Sequence, residues 1–180
     1  MKVYIMRHGT TVWNEIGRSQ GRRQNMLSKE GKAKAELMAE KLKNKQIDVI
    51  YSSPLRRTIQ TANIVNKYHN VPIIKSELLI EIDQGVFAGT FWKKLTDEEK
   101  QIRIERKDGY GMESYDHVYK RVKEFVENVL KQEQHKNILV VSHNNCCSIM
   151  EHILKNEPIN FDNVSELNTF DNAEVREFEI

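Results

Sequence analysis

The stretch Val-Tyr-Ile-Met-Arg-His-Gly-Thr-Thr, residues 3–11, is an apolar run that ends abruptly in polar residues. Residues 3–6 have the apolar, β-rich composition of a buried strand, and Gly9 allows a sharp turn after it. We therefore expect His8 at the carboxyl end of a strand, facing solvent. Ligands of open parallel α/β sheets bind outside such strand ends. Alternatively, Arg7 and His8 are ordinary surface residues.

Two further strand-like runs are followed by groups suited to binding an anion. Residues 47–51 are followed closely by Arg56 and Arg57, and residues 138–141, the clearest buried strand of the sequence, are followed by His143. Parallel strands bring their carboxyl ends to one edge of a sheet. Histidines and arginines beside helix N-termini would form a phosphate site there.

Helical segments separate the predicted strands. Ser28 and Ser114 are good N-caps, and Thr96 with Glu99 has the spacing of a capping box. The stretches that follow Ser28 and Ser114 carry apolar residues at helical spacing. This alternation predicts a three-layer α/β/α sandwich with a mainly parallel sheet.

The length of 180 residues predicts one domain over residues 1–180. Its tail, residues 175–180, carries Val175, Phe178 and Ile180 between charged residues and is interpreted as an edge strand. The polar segment of residues 11–27 is interpreted as a long loop, and loops of this length are usually functional or mobile. The charged segment of residues 96–107 is interpreted as a lid or an exposed flank.

The composition narrows the class of partner. The chain has 28 Lys and Arg residues against 26 Asp and Glu, a net charge of +2, which gives no support for a nucleic-acid or membrane partner. No apolar run has the length of a membrane span. Cys146 and Cys147, the only cysteines, are adjacent and cannot join distant elements. We therefore expect a cytoplasmic protein.

A series of blocks is similar, in order, to the blocks of one known family. They are Arg7-His8-Gly9 with Trp13-Asn14, then Gln20-Gly21, Leu27 to Gly31, Ser53 to Ala62, Glu81 to Gly89, Val140 to His143, and Asn172 to Val175. On these blocks the chain resembles the phosphoglycerate mutase-like branch (branch 1) of the histidine phosphatases. The match covers nearly the whole chain, so it is far more specific than one tripeptide.

The resemblance implies a role for each matched residue. His8 would be the nucleophile that takes the phosphoryl group as a phosphohistidine. Arg7, Arg57 and His143 would hold the phosphoryl oxygens, and Glu81 would protonate the leaving oxygen. The family's spacing ahead of residues 61–62 selects Arg57 over its neighbour Arg56, which is then a solvated residue.

The chemistry of these groups is consistent with those roles. A histidine attacks phosphorus only when one ring nitrogen is unprotonated, and nearby arginine charge lowers a histidine pKa. A carboxyl group close to a dianionic phosphate is driven towards its acid form. Because phosphoryl transfer is catalysed mostly by positioning and charge, arginines and histidines suffice without a metal or a cofactor.

Five further residues are predicted to line the substrate site. Asn14 binds the phosphate or anchors its own loop, and Gln20 and Gly21 contribute through the loop backbone. Asn144 stands where much of the family has a glycine, which would narrow or polarise the pocket. Glu113, in a variant of a Gly-Gly-Glu-Ser block, faces the pocket or only flanks a helix.

The predicted activity is that of a metal-independent phosphomonoester hydrolase. A mutase of the same family usually carries a longer insertion after the block that matches Glu81 to Gly89 here. In this chain the segment that follows, residues 90–110, is short. A non-catalytic phosphate-binding or regulatory domain is the other alternative. The basic residues that could cover the pocket would select an acidic substrate or form a solvated surface; they are Arg18, Arg22, Arg23, Lys93 and Lys94.

Overall fold

The computed structural model describes residues 1–134, 137–161, 167 and 169–180. Within these residues the strands form one five-stranded sheet of order β3-β2-β4-β1-β5. The strands are β1 Lys2–Arg7, β2 Val49–Ser52, β3 Ile73–Lys75, β4 Asn137–Ser142 and β5 Val175–Glu179. All neighbours pair in parallel except β5, which runs antiparallel to β1 at the edge. The predicted mainly parallel sheet and the edge strand are confirmed.

The central strands are buried on both faces. Val3 and Ile5 of β1 contribute to one core cluster, whereas Tyr4 and Met6 contribute to the other. All four are at most 2% exposed. Successive side chains of a strand point to opposite faces, so a continuous apolar run indicates cover on both sides.

Four of the helices in the described residues provide that cover. The helices are α1 Val12–Glu15, α2 Lys29–Leu42, α3 Arg56–Asn66, α4 Asp97–Glu105, α5 Tyr115–Asn128 and α6 Asn144–Lys155. Helices α2 and α3 contribute buried residues to the cluster of Tyr4 and Met6, and α5 and α6 contribute to the cluster of Val3 and Ile5. The three-layer α/β/α architecture is therefore confirmed.

The predicted caps form as expected. Ser28 accepts from the Gly31 amide, Ser114 accepts from the His117 amide, and Thr96 forms a capping box with Glu99. The charged helix α4 packs through its buried Ile102 in a small cluster with Phe87 and Leu95.

The interpretation of residues 11–27 as a loop was incomplete. Helix α1 occupies Val12–Glu15, because Thr11 and Asn14 form a reciprocal capping box around it. A helix of four residues has no apolar periodicity, so a pattern search at helical spacing misses it.

Gly31 brings the start of α2 against the chain that follows β1. A Cβ atom on Gly31 would lie 1.8 Å from the Thr10 carbonyl oxygen. Only glycine permits this approach without a backbone shift. The contact fixes the path of the chain just beyond His8.

Candidate active site

The carboxyl ends of three neighbouring parallel strands meet at one edge of the sheet. His8 follows β1, His143 follows β4 and Ser53 follows β2. The ring centroids of His8 and His143 are 5.2 Å apart, and the two rings meet edge to face. The backbone joins these ends, since the His8 amide donates to the Ser142 oxygen and the Ser53 amide to the Val141 oxygen.

His8 is buried, with 3% of its surface exposed, so the expectation that it faces solvent was wrong. Its Nδ1 lies 2.7 Å from the Gly9 carbonyl oxygen, which only accepts hydrogen bonds, so the proton sits on Nδ1. Its Nε2 accepts from Arg57 Nε at 3.2 Å. Nε2 therefore carries no proton, and its lone pair points towards the Arg57 guanidinium.

The pKa of His8 is lowered well below its usual value of 6.5. Burial is the largest cause, and the charges of Arg57 and Arg7 follow it, against the opposing hydrogen bond of Gly9. The neutral imidazole is the nucleophilic form. The pocket thus favours the neutral imidazole of His8 at neutral pH.

Arg57 connects both histidines to the loop that follows α1. Its Nε donates to His8 Nε2 and, at 3.3 Å, to His143 Nδ1. Its Nη1 and Nη2 donate to the carbonyl oxygens of Arg23 and Gly21 at 2.8 and 2.7 Å. Burial lowers the pKa of Arg57 to about 10, and Arg7 adds to that lowering while the Glu81 charge opposes it.

The neighbouring residue Arg56 is exposed and lies outside this network. The two adjacent arginines open α3, so their side chains leave the helix in different directions. The choice of Arg57 over Arg56, made on spacing, thus agrees with the position of the two side chains.

His143 is fully buried and oriented from both ring nitrogens. Its Nδ1 accepts from Arg57, so its Nε2 carries the proton and donates to Ser53 Oγ at 2.8 Å. Burial and then the charge of Arg57 lower the pKa of His143 well below 6.5. His143 is also the N-cap of α6, where its side chain makes no capping bond.

Arg7 presents an unused donor. Its Nη1 donates to the Phe170 carbonyl oxygen at 2.5 Å. Its Nε is buried and has no hydrogen-bond partner among the residues that the structure describes. A buried donor without a partner costs about 1–3 kcal/mol, and an anion bound beside His8 would relieve that cost.

Glu81 lies on irregular chain between two short 3₁₀ turns, Glu77–Leu79 and Gly85–Phe87. Its half-buried carboxylate accepts at Oε1 from the Ile82 amide at 2.9 Å and from Asn145 Nδ2 at 3.3 Å. The Glu81 charge partly opposes the burial that lowers the pKa of Arg7 and of Arg57. Its charge therefore acts on both arginines of the site.

The three predicted loop residues make local contacts. Asn14 Oδ1 accepts from the Thr11 amide at 3.0 Å, so this side chain does anchor its own loop. Gln20 Oε1 accepts from Thr11 Oγ1 at 2.9 Å. Gly21 contributes through its backbone, as the acceptor for Arg57 Nη2. A role of these residues in binding substrate stays a prediction.

Asn144 and Glu113 are engaged with protein groups. Asn144 Oδ1 accepts from the Phe170 amide at 2.9 Å. Buried Glu113 accepts from Arg121 at 2.9 and 3.1 Å and pairs with Arg22 at 3.0 Å. No hydrogen bond of Glu113 to His8, His143, Arg7 or Arg57 occurs in the described part of the chain. The structure therefore does not bring Glu113 into the histidine cluster.

The basic residues expected to cover the pocket divide into two groups. Arg18 stacks on Trp13 at 4.1 Å, and Arg22 pairs with Glu113 and donates to the Glu81 carbonyl oxygen. Arg23, Lys93 and Lys94 are exposed. The first two thus hold loops, and the other three face solvent.

Two residues of the site were missed in the sequence. Ser53, which orients His143, directly follows β2 and could have been found by the same strand-end rule. Asn145, which contacts Glu81, carries no sequence signal, because its partner is 64 residues away in the chain.

Three further features concern metal sites, membrane-spanning helices and the two cysteines. Over the described stretches, no group of three or more His, Cys, Asp or Glu residues could hold a metal ion. None of the described helices is long and apolar enough to cross a membrane. Cys146 and Cys147 are buried free thiols, and burial raises the pKa of both.

Comparison with known proteins identifies the family. The model of the histidine phosphatase superfamily (branch 1) matches residues 3–180. The chain is 37% identical over 152 residues to phosphoserine phosphatase 1 of Hydrogenobacter thermophilus, covering 79% of this chain and 71% of that protein. It is 31% identical over 149 residues to a probable phosphoglycerate mutase of Serratia proteamaculans, covering 79% and 69%.

Solved structures share the fold. A mycobacterial glucosyl-3-phosphoglycerate phosphatase complexed with VO3 has a TM-score of 0.86 and 25% identity, covering 98% of this chain and 91% of that one. Phosphoserine phosphatase of Entamoeba histolytica with 3-phosphoglyceric acid has a TM-score of 0.82 and 25% identity, covering 99% and 90%. The chain therefore belongs to branch 1 of the histidine phosphatase superfamily, as a phosphatase of the phosphoglycerate mutase-like family.

Proposed function

We propose that this phosphatase hydrolyses small phosphate monoesters through a phosphohistidine on His8, without a metal ion. The observation that carries the proposal is the state of His8 Nε2, an unprotonated nitrogen held beside the guanidinium of Arg57. The Nε of Arg7, which has no partner among the described residues, supplies a second donor for the phosphoryl oxygens. His143 supplies a third donor when a substrate that binds as its monoanion gives its proton to His143 Nδ1, while Nε2 keeps its bond to Ser53.

In the first step, the lone pair of His8 Nε2 forms a bond to phosphorus while the ester P–O bond breaks. The bonding electron pair leaves with the alcohol oxygen, which takes the proton that Glu81 gained from solvent when the dianionic phosphate bound beside it. The imidazole gains positive charge, and its Nδ1–H bond to the Gly9 oxygen stabilises that charge. Arg7 and Arg57 offset the negative charge of the phosphoryl oxygens.

In the second step, water attacks phosphorus from the side left by the alcohol. Glu81, now a carboxylate, accepts a proton from this water, and the P–N bond breaks with its electron pair returning to Nε2. Inorganic phosphate leaves, and both Glu81 and His8 recover their starting forms. The same residue thus serves as acid and then as base.

The substrate class is a small phosphate monoester. The relatives named above include phosphatases of phosphoserine and of glucosyl-3-phosphoglycerate, which supports this class. The near balance of charge gives no support for a nucleic-acid partner. The two cysteines are free thiols, in keeping with the expected cytoplasmic location.

The relative named as a probable phosphoglycerate mutase favours a second candidate. A mutase would move the phosphoryl group between positions of one substrate and would need a bisphosphate primer. Hydrolysis without a primer, measured as released inorganic phosphate, separates the two activities.

The test is to trap the phosphoenzyme. The protein is mixed with a ³²P-labelled phosphate monoester in the presence of a metal chelator, and the reaction is quenched. The labelled residue is then identified by peptide mapping. We expect an acid-labile label on His8, and we expect His8→Ala to lose both the label and turnover. His69→Ala, a histidine beyond the end of α3, is the matched control and should label normally.

A folded His8→Ala variant that hydrolyses phosphate esters at a near-normal rate would overturn the mechanism. Absence of turnover by the wild-type protein across a range of pH and substrates would favour the non-catalytic phosphate-binding domain instead.

A further inference from the structure

Two adjacent asparagines, Asn144 and Asn145, form the first turn of α6, directly after His143. They contact different parts of the site. Asn145 Nδ2 donates to Glu81 Oε1 at 3.3 Å. Asn144 Oδ1 accepts from the Phe170 amide at 2.9 Å, and the Phe170 oxygen accepts from Arg7 Nη1 at 2.5 Å.

We propose that Asn145 is a positioning residue for the general acid, which anchors Glu81 Oε1 so that Oε2 carries the proton given to the leaving group. This inference rests on the proposed function, because it takes Glu81 as the acid. It assigns a task to a residue that neither the sequence pattern nor the family blocks single out.

The need for an anchor follows from the local chain. Glu81 lies between two 3₁₀ turns, outside any helix or strand, and the last torsion of a glutamate side chain is broad. Arg22 Nε donates to the Glu81 carbonyl oxygen at 3.1 Å and holds the backbone only. Asn145 therefore adds a second restraint on the carboxyl group, beside the hydrogen bond that the Ile82 amide donates to the same oxygen.

The hydrogen bonds also select the oxygen that carries the proton. Oε1 accepts from the Ile82 amide and from the Asn145 amide group, which are both donors towards it. A protonated Oε1 would turn its own hydrogen towards these donors. Oε2 makes no hydrogen bond within the described residues, so the proton belongs on Oε2.

Asn144 provides a comparison from the same helical turn. Its contact reaches Arg7 through Phe170, and Arg7 would bind the phosphoryl group that all substrates share. Loss of Asn144 should therefore slow substrates with good and with poor leaving groups by the same factor. The rate lost when Asn145 is replaced should depend on the leaving group, because a poor leaving group needs the proton most.

The experiment measures kcat/KM for an alkyl phosphate and for p-nitrophenyl phosphate with five proteins: wild type, Asn145→Leu, Asn145→Asp, Asn144→Leu and Glu81→Gln. We expect Asn145→Leu to lower the alkyl rate on the order of 10-fold more than the aryl rate, a part of the 10²–10⁴-fold that general acid catalysis supplies. Asn144→Leu should leave the ratio of the two rates unchanged. Asn145→Asp, which keeps the shape but loses the donor, should change the ratio in the same direction.

A double variant separates positioning from general damage. In the Glu81→Gln background, Asn145→Leu should leave the alkyl-to-aryl ratio where Glu81→Gln alone puts it, because no acid remains to be positioned. If Glu81→Gln is selective but Asn145→Leu and Asn145→Asp lower both substrates equally or not at all, the inference is wrong and the proposed function stands. If Glu81→Gln itself is unselective, the acid role fails and the inference fails with it.

Discussion

Arg57 is the residue whose replacement tests the site most directly, and Arg57→Met removes its charge while keeping an apolar stem of similar length. The variant loses the Nε bonds to His8 and His143 and the Nη bonds to the Gly21 and Arg23 oxygens. Removal of one preorganised donor to a transition state costs about 10²–10³-fold in rate. We expect kcat/KM of Arg57→Met to fall by at least that factor.

The loss in stability should not exceed the loss in transition-state free energy. Lowering the Arg57 pKa from its usual value to about 10 corresponds to about 3 kcal/mol of charging cost, which the uncharged variant does not bear. That cost is fully present at neutral pH, because Arg57 is protonated there in both the folded and the unfolded chain. The two lost Nη bonds are worth about 1.5–3 kcal/mol each. From the charging cost and the two Nη bonds alone, the net loss in unfolding free energy comes to about 0–3 kcal/mol.

The assay pairs steady-state kinetics with urea unfolding and with the shift in Tm caused by inorganic phosphate. Phosphate should stabilise the wild type by binding its folded state, and it should stabilise Arg57→Met much less. Arg56→Met is the matched control, because Arg56 is exposed. We expect it to stay within about 0.5 kcal/mol of the wild type in stability and to keep near-normal kinetics.

A folded Arg57→Met variant that retains kcat/KM within tenfold of the wild type would refute the role of Arg57 in the site. An equal loss of activity in Arg56→Met and Arg57→Met would also refute it. That result would mean that the match of residues 53–62 to the family is shifted by one residue.

Two further predictions concern pH and stability. Because burial, Arg57 and Arg7 lower the pKa of His8 and only its neutral form attacks, the acid limb of kcat/KM should lie below pH 6.5, after correction for the ionisation of the substrate. It should move upward in Arg57→Met, and an acid limb at or above pH 6.5 in the wild type would contradict this. Glu113→Gln should lower the unfolding free energy at pH 7 by about 3–5 kcal/mol, because it leaves buried Arg121 without a charged partner. Burial raises the pKa of Glu113, but the hydrogen bond and charge of Arg121 and the charge of Arg22 lower it on balance. The contribution of this carboxylate should therefore be present above about pH 4.5 and be lost as the pH falls through its lowered pKa, which urea unfolding against pH measures.

The matched control for Glu113 is Glu127→Gln on the same helix as Arg121. Glu127 lies 3.8 Å from Lys123 in an exposed pair, and such pairs contribute about 0–1 kcal/mol. Equal losses in the two variants would show that burial of the Glu113 pair has no special importance.

The sequence by itself determined the sheet and the identity of the histidine cluster. Continuous apolar runs predicted β1 and β4, because a strand covered on both faces excludes polar residues. His8 and His143 were found because each directly follows such a run. Arg57 was selected over Arg56 by spacing, and the helix caps at Ser28, Thr96 and Ser114 were local patterns of three or four residues.

Only the tertiary structure decided which groups act on those residues. His8 was expected to face solvent, yet it is buried, because the chain folds over it and the ring of His143 lies beside it. The acceptors of Arg57 are backbone carbonyls, which every residue carries and no pattern can mark. The contact of Asn145 with Glu81 joins residues 64 positions apart. Such pairings depend on how α6 and the irregular chain around Glu81 pack at the sheet edge. That geometry arises only once the whole core has formed.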